Sequence, residues 1–112
     1  MKIEDELKRG VQEYLESARD DENKGRKRSA ATMYFKAMAA VCDYVIYSKI
    51  KKLPDNHTER FRMMETGFQA FYTTLSKTFP IYQQTYRADI SKEQLEMLKY
   101  AFKKISKLAG LE

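Results

Sequence analysis

The stretch from 29 to 53 constrains the fold of this chain most, because it is the longest predominantly apolar segment. Its apolar residues recur every three or four positions, the spacing of one face of an α-helix; they are Ala30, Tyr34, Ala37, Met38, Val41, Cys42, Val45 and Ile46. Additional alanines widen this face, and a helix that is apolar around so much of its girth is usually central to a core. We therefore predict a central helix over 29–51 that contacts the other helices of an all-α domain.

Three other segments carry the same helical period. The first covers 2–20, the second starts at Asn56, and the last starts at Ser91 and ends near Gly110. Asn56 precedes Glu59 by three residues, and Ser91 precedes Gln94 by three, which is the spacing of a capping box at a helix start. The apolar stripe of the second segment comprises Phe61, Met64, Phe68, Phe71 and Leu75.

Two helix-breaking residues lie in the second half of the chain. We expect Gly67 to interrupt the apolar stripe without breaking its period, and Pro80 to end or kink the helix, since proline removes a backbone donor. A short helical piece is predicted to resume over 80–87. The predicted fold class is therefore an all-α antiparallel up-and-down bundle of four main helices, with a short fifth around 80–87. The chain is interpreted as one domain over 1–112.

Composition narrows the classes of function. Cys42 is the only cysteine and lies on the apolar face of the central helix, so we expect a buried, inert thiol. His57 is the only histidine, which leaves no multi-histidine metal site and no catalytic triad. The sequence also has no glycine-rich phosphate loop. We therefore predict no cofactor, no metal and, on balance, no enzymatic activity.

The charge pattern bears on location and partners. The segment 1–10 is charged and lacks the apolar stretch of a signal peptide, and no apolar run approaches the roughly 20 residues of a membrane span. We expect a cytoplasmic protein with no membrane partner. The net charge of +5 permits nucleic-acid binding without requiring it.

A predicted loop over 20–28 changes sign along its length. Three acidic residues, Asp20, Asp21 and Glu22, are followed by four basic ones, Lys24, Arg26, Lys27 and Arg28. Both groups oppose the dipoles of the helices that they flank. Pairing across the turn would explain this arrangement, and so would an anionic partner such as RNA.

His57 and the tyrosines are the other candidates for a functional role. His57 is predicted in the first turn of a helix, where the helix dipole would lower its pKa. It is interpreted either as an exposed cap residue or as a contact to phosphate or a partner chain. The tyrosines suit a subunit interface, the rim of a groove or the boundary of the core; they include Tyr34, Tyr44, Tyr47, Tyr72, Tyr82, Tyr86 and Tyr100.

Three segments taken together resemble the HEPN family, the higher eukaryote and prokaryote nucleotide-binding domains. They are the small-residue-rich SAATMYFKAMAAVCDYVIYSK, the histidine-containing NHTERFRMM and the Tyr-Arg segment IYQQTYRADIS. The resemblance covers roughly 15–108. It implies a bundle of four or five helices that usually dimerises. Family members include RNA-cutting toxins, RNA-processing enzymes and non-catalytic partners of small nucleotidyltransferases.

The sequence departs from the catalytic motif of that family, an arginine followed after four to six residues by a histidine. His57 would need an arginine at 50, 51 or 52, and Arg87 would need a histidine at 92, 93 or 94; neither is present. We therefore expect a non-catalytic HEPN-like bundle that binds nucleic acid or nucleotide, or acts with a nucleotidyltransferase partner. The alternatives are a homodimeric protein-interaction module and a divergent ribonuclease. The candidate binding residues are Lys24, Arg26, Lys27, Arg28, His57, Arg60, Tyr86 and Arg87.

Overall fold

Five α-helices account for the fold of residues 2–111, the part of the chain that this computed structural model describes. They are α1 (Ile3–Asn23), α2 (Lys27–Ile50), α3 (His57–Gly67), α4 (Gln69–Gln84) and α5 (Lys92–Leu108). Residues 2–111 contain no strand. The prediction of an all-α bundle is confirmed.

The second helix is the centre of the core, as predicted. It packs against each of the other four helices, and Phe35, Val41 and Ile46 on it are fully buried. It begins at Lys27, two residues before the predicted start. Cys42 is also fully buried. Burial raises the pKa of its thiol, and the nearby Asp43 adds to the effect. The thiol is therefore held in its unreactive protonated form.

The turn between α1 and α2 is much shorter than the predicted loop over 20–28. Only 24–26 separate the two helices, and Gly25 takes the left-handed φ of 77° that glycine adopts without strain. The acidic side chains of the last turn of α1 are paired with cations of the turn: Lys24 lies 3.0 Å from Asp20, and Arg26 lies 3.5 Å from Asp21. So short a connection makes α1 and α2 antiparallel neighbours.

The predicted helix from Asn56 to Pro80 is wrong at Gly67, and its predicted end at Pro80 is wrong as well. The helix ends at Gly67, and Phe68 has non-helical dihedrals (φ −142°, ψ 59°), so α3 and α4 are separate. Conversely, α4 passes through Pro80 to Gln84, and no separate fifth helix forms over 80–87. The buried side chains of Ile81 and Tyr82 beyond the proline favour continuation of the helix.

The predicted helix starts are confirmed by their capping bonds. Asn56 Oδ1 accepts a hydrogen bond from the Glu59 backbone N–H at 2.8 Å. At the start of α5 both bonds of the capping box are present, from Gln94 N–H to Ser91 Oγ and from Ser91 N–H to Gln94 Oε1, each at 3.0 Å. Gly110 follows the end of α5 with a left-handed φ of 74°.

Candidate functional site

A cleft of about 480 Å³ lies where the start of α3 meets α1 and α2. It contains two of the residues predicted from the sequence, His57 and Arg60. The side chains of Lys36 and Asp43 from α2 also line it, as does Tyr14 from α1. Sequence reasoning missed these three, since no local pattern connects them with His57.

A buried ion pair holds the inner side of the cleft. Arg60 donates to Asp43 through Nε at 2.7 Å and through Nη2 at 3.0 Å. The two side chains are only 12% and 16% exposed. Burial opposes the charge on Arg60, but its hydrogen bonds to Asp43 and the negative charge of Asp43 act in the other direction, and the pKa of Arg60 is raised. Arg60 is therefore a fixed structural cation rather than a mobile ligand for phosphate.

Arg60 also fixes the tautomer of His57. Its Nη1 lies 3.1 Å from His57 Nδ1. Because a guanidinium can only donate, Nδ1 must accept, and the proton of the neutral ring is on Nε2. Burial lowers the pKa of His57, and the charge of Arg60 lowers it further. The predicted direction is confirmed, but burial is the principal cause. The interpretation of His57 as an exposed residue is wrong, because the ring is half-buried.

Aromatic rings surround His57. Its ring centroid lies 5.5 Å from that of Phe79 and 5.6 Å from that of Tyr82, and Tyr82 stacks on Phe35 at 4.5 Å. The hydroxyls of Tyr82 and Tyr86 are 2.9 Å apart. Burial, followed by this hydrogen bond, raises the pKa of Tyr82 to about 12. Tyr86, a predicted site residue, is thus joined to the His57 cluster, and its side chain is 70% exposed.

The predicted basic residues of the first turn do not act as one group. Lys24 and Arg26 pair with acidic residues of α1, which is the first of the two explanations offered for the charge reversal. Lys27 and Arg28 form no ion pair with any described side chain. Arg87 lies in the turn after α4, exposed and outside the cleft lining.

An exposed side of α2 connects this turn with the cleft. Arg28, Thr32 and Lys36 follow one another at intervals of four, so they lie on one side of the helix. Arg28 and Lys36 are both exposed, and Lys36 reaches the cleft. Arg28 and Lys36 are therefore about 12 Å apart along the helix axis. The four-residue spacing was visible in the sequence, but its connection to His57 was not.

The arrangement offers several groups that can bind a ligand. The cleft offers the His57 Nε2–H as a neutral donor and Lys36 as a cation, while Glu6 and Asp55 supply acidic groups at its edge. No described nucleophile lies within hydrogen-bonding distance of the ring of His57. Nowhere in 2–111 are three His, Cys, Asp or Glu side chains grouped so as to hold a metal ion.

Comparisons with known proteins add no relatives to this description. No family model, no curated protein and no solved structure significantly matches the chain. Among the five described helices, none is both long enough and apolar enough to span a membrane.

Proposed function

We propose that this protein is a non-catalytic HEPN-like helical bundle that binds nucleotide or single-stranded nucleic acid. The observation that supports this most is the line of Arg28 and Lys36 on α2, which leads to His57 in the cleft. Cations about 12 Å apart on a helix can contact successive phosphates of one strand. The fixed Nε2–H of His57 can then donate to a phosphate or to a base edge.

The exposed ring of Tyr86 supplies a surface on which a base can stack. Stacking on an aromatic side chain is tolerant of sequence and accompanies backbone contacts in proteins that bind single strands. Tyr86 is held by its hydrogen bond to Tyr82, which itself packs against His57. The stacking surface is therefore fixed relative to the donor in the cleft.

The same contacts argue against the ribonuclease alternative. Arg60 is engaged by Asp43 and by His57, so it is not available to stabilise charge on a reacting phosphate. His57 Nδ1 is also occupied, and the ring has no described partner that would activate it. A non-catalytic module of this kind would act with an enzyme partner, and the HEPN resemblance implies a nucleotidyltransferase in that role.

Binding of a fluorescent single-stranded RNA at several salt concentrations tests the proposal. We expect log K to fall linearly with log salt, by about 0.7 for each phosphate contact. The variant Arg28→Ala/Lys36→Ala should lower the slope by about 1.4, since it removes two such contacts. The matched control is Arg62→Ala/Lys77→Ala, which removes one arginine and one lysine at exposed positions outside the cleft lining and should leave the slope unchanged.

Two results would contradict the proposal. If neither the RNA oligonucleotide nor a mononucleotide binds detectably at low salt, the protein does not bind nucleic acid or nucleotide. Cleavage of labelled RNA that disappears in His57→Ala would support the ribonuclease alternative instead.

A second proposal, homodimerisation, is favoured by the exposed side of α5. Met97, Tyr100 and Leu108 are 53%, 73% and 47% exposed, and their spacing places them on one side of the helix. Aromatic residues and methionine are enriched in protein interfaces. We propose that this side of α5 is the contact between two copies of the chain.

A further inference from the structure

A groove of about 460 Å³ separates α1 from α5. Both helices pack on α2, but their backbones do not come within 8 Å of each other. The floor of the groove is apolar, since Val11, Leu15 and Phe102 line it and each is less than a tenth exposed. Its volume is within the range of small-molecule sites, and the walls above the apolar floor are mostly polar or charged. The groove lies apart from the cleft at His57 and shares no lining residue with it.

One end of the groove is closed by a satisfied polar network. Glu22 accepts hydrogen bonds at 2.8 Å from Tyr34 Oη and from Lys99 Nζ. Burial opposes the ionisation of Glu22, but these two hydrogen bonds and the positive charge of Lys99 act in the other direction, and the pKa of Glu22 is lowered. Burial and the bond to Glu22 raise the pKa of Tyr34 to about 12. The charge of Glu22 is therefore already neutralised by Lys99.

Two other cations line the groove without such neutralisation. Arg19 and Lys103 form no ion pair with any described side chain, and both are groove-lining residues. Glu22 and Lys99 join the two helices at that end of the groove. Arg19 on α1 and Lys103 on α5 are each about one turn from this contact along their own helices, and both line the groove.

A buried hydroxyl on the wall of the groove lacks a partner. Ser106 is one turn beyond Lys103, lines the groove and is 5% exposed. Its Oγ makes no hydrogen bond with any described residue. Buried hydroxyls are normally hydrogen-bonded, and an exception calls for an explanation such as a missing ligand or ion.

We propose that this groove binds a small organic carboxylate with an apolar body. The apolar part lies on Val11, Leu15 and Phe102. The carboxylate lies between Arg19 and Lys103, and one of its oxygens accepts the hydrogen bond that Ser106 Oγ–H lacks. The ligand places one negative charge between the two cations, while the apolar floor selects against small hydrophilic anions.

Titration of the ¹⁵N-labelled protein with sodium octanoate, followed by NMR, tests the proposal. We expect saturable binding to one site, with shifts concentrated at the amides of Val11, Leu15 and Ser106. The variant Arg19→Glu/Lys103→Glu should weaken binding at least tenfold. The control Arg62→Glu/Lys77→Glu changes the net charge equally at exposed positions outside the groove and should bind octanoate like the parent. Octanol, which lacks the charge, should bind at least tenfold more weakly than octanoate.

The variant Ser106→Ala separates a ligand contact from a structural role. Removing an unpaired buried hydroxyl should leave the melting temperature unchanged or raise it, because no hydrogen bond is lost. It should nevertheless weaken octanoate binding, and RNA affinity should not change. No saturable binding, equal affinity in the parent and in Arg19→Glu/Lys103→Glu, or equal affinity for octanol and octanoate would each overturn the proposal. Unchanged octanoate affinity in Ser106→Ala would show that the Ser106 hydroxyl does not contact the ligand.

Discussion

The ion pair between Asp43 and Arg60 gives the sharpest quantitative prediction from this structure. Replacing Asp43 with alanine leaves a guanidinium that is 12% exposed without its counter-charge. It also removes the acceptors of two hydrogen bonds, at 2.7 Å and 3.0 Å. Breaking a buried pair by removing one partner typically costs about 3–5 kcal/mol. At about 4 °C per kcal/mol for a domain of this size, the melting temperature should fall by about 12–20 °C.

Replacing both partners should have a much smaller effect. In Asp43→Leu/Arg60→Met no buried charge remains, and apolar replacement of a buried pair is often neutral or stabilising. We expect the double variant to unfold within about 1 kcal/mol of the parent, despite the cost of the single change. His57 should then lose both its hydrogen-bond donor and the nearby positive charge, so its pKa should rise. The pair would thus be shown to position His57 rather than to stabilise the bundle.

Urea denaturation followed by far-UV circular dichroism measures these free energies in a double-mutant cycle with Asp43→Ala and Arg60→Ala. We expect a coupling energy of at least about 2 kcal/mol, because the side chains are in direct contact. Single changes that each cost less than about 1 kcal/mol, and that add within about 0.5 kcal/mol, would refute the reasoning. Such a result would mean that Arg60 is solvated in solution.

Three further predictions concern the core, the histidine and the surface of α5. Val41→Asp places an unpaired charge at a fully buried position, so the free energy of unfolding should fall by several kcal/mol. A melting temperature within a few degrees of the parent would contradict the core assignment. Lys49→Asp on the exposed end of α2 is the control. The pKa of His57 is lower in the folded protein than its ordinary value of 6.5, so the unfolded state binds more protons just below that pH. The free energy of unfolding should therefore fall as the pH drops from 6.5 towards 5, by up to about 1.4 kcal/mol per pH unit. His57→Gln should abolish this part of the pH dependence, and an identical profile in the variant would exclude His57 as its source. Sedimentation at micromolar concentration should show a dimer. The Tyr100→Glu variant should be monomeric, whereas the control Tyr86→Glu should remain dimeric. A monomeric parent protein would contradict the proposed homodimer.

The local features of the fold could be predicted because they depend on short sequence spacings. The caps at Asn56 and Ser91 need residues three positions apart, and the stop at Gly110 needs one residue that tolerates a positive φ. The central position of α2 followed from the width of its apolar face. Each of these features is determined by the chain within one or two turns of the residue concerned, so no knowledge of distant contacts was required.

The candidate site could be predicted only in part. The sequence singled out His57 and Arg60, but not their contact with Asp43, which is 17 positions earlier in the chain than Arg60. The cation that connects the turn with the cleft, Lys36, was equally missed. Side-chain pairs of this kind depend on how helices cross, and a periodic pattern on one helix does not specify its crossing with another.

The break at Phe68 is the clearest case of what only the tertiary structure decided. By itself the sequence determined an all-α chain with a central α2, defined helix starts and a buried Cys42. The apolar stripe, however, continues through Gly67 in phase. In one straight helix Phe61 and Phe79 would lie about 27 Å apart, whereas their ring centroids are 5.0 Å apart. Folding α3 back on α4 buries these rings against each other and brings His57 to Phe79 and Tyr82. The gain from that burial exists only when both helices are present, so no local spacing could reveal it.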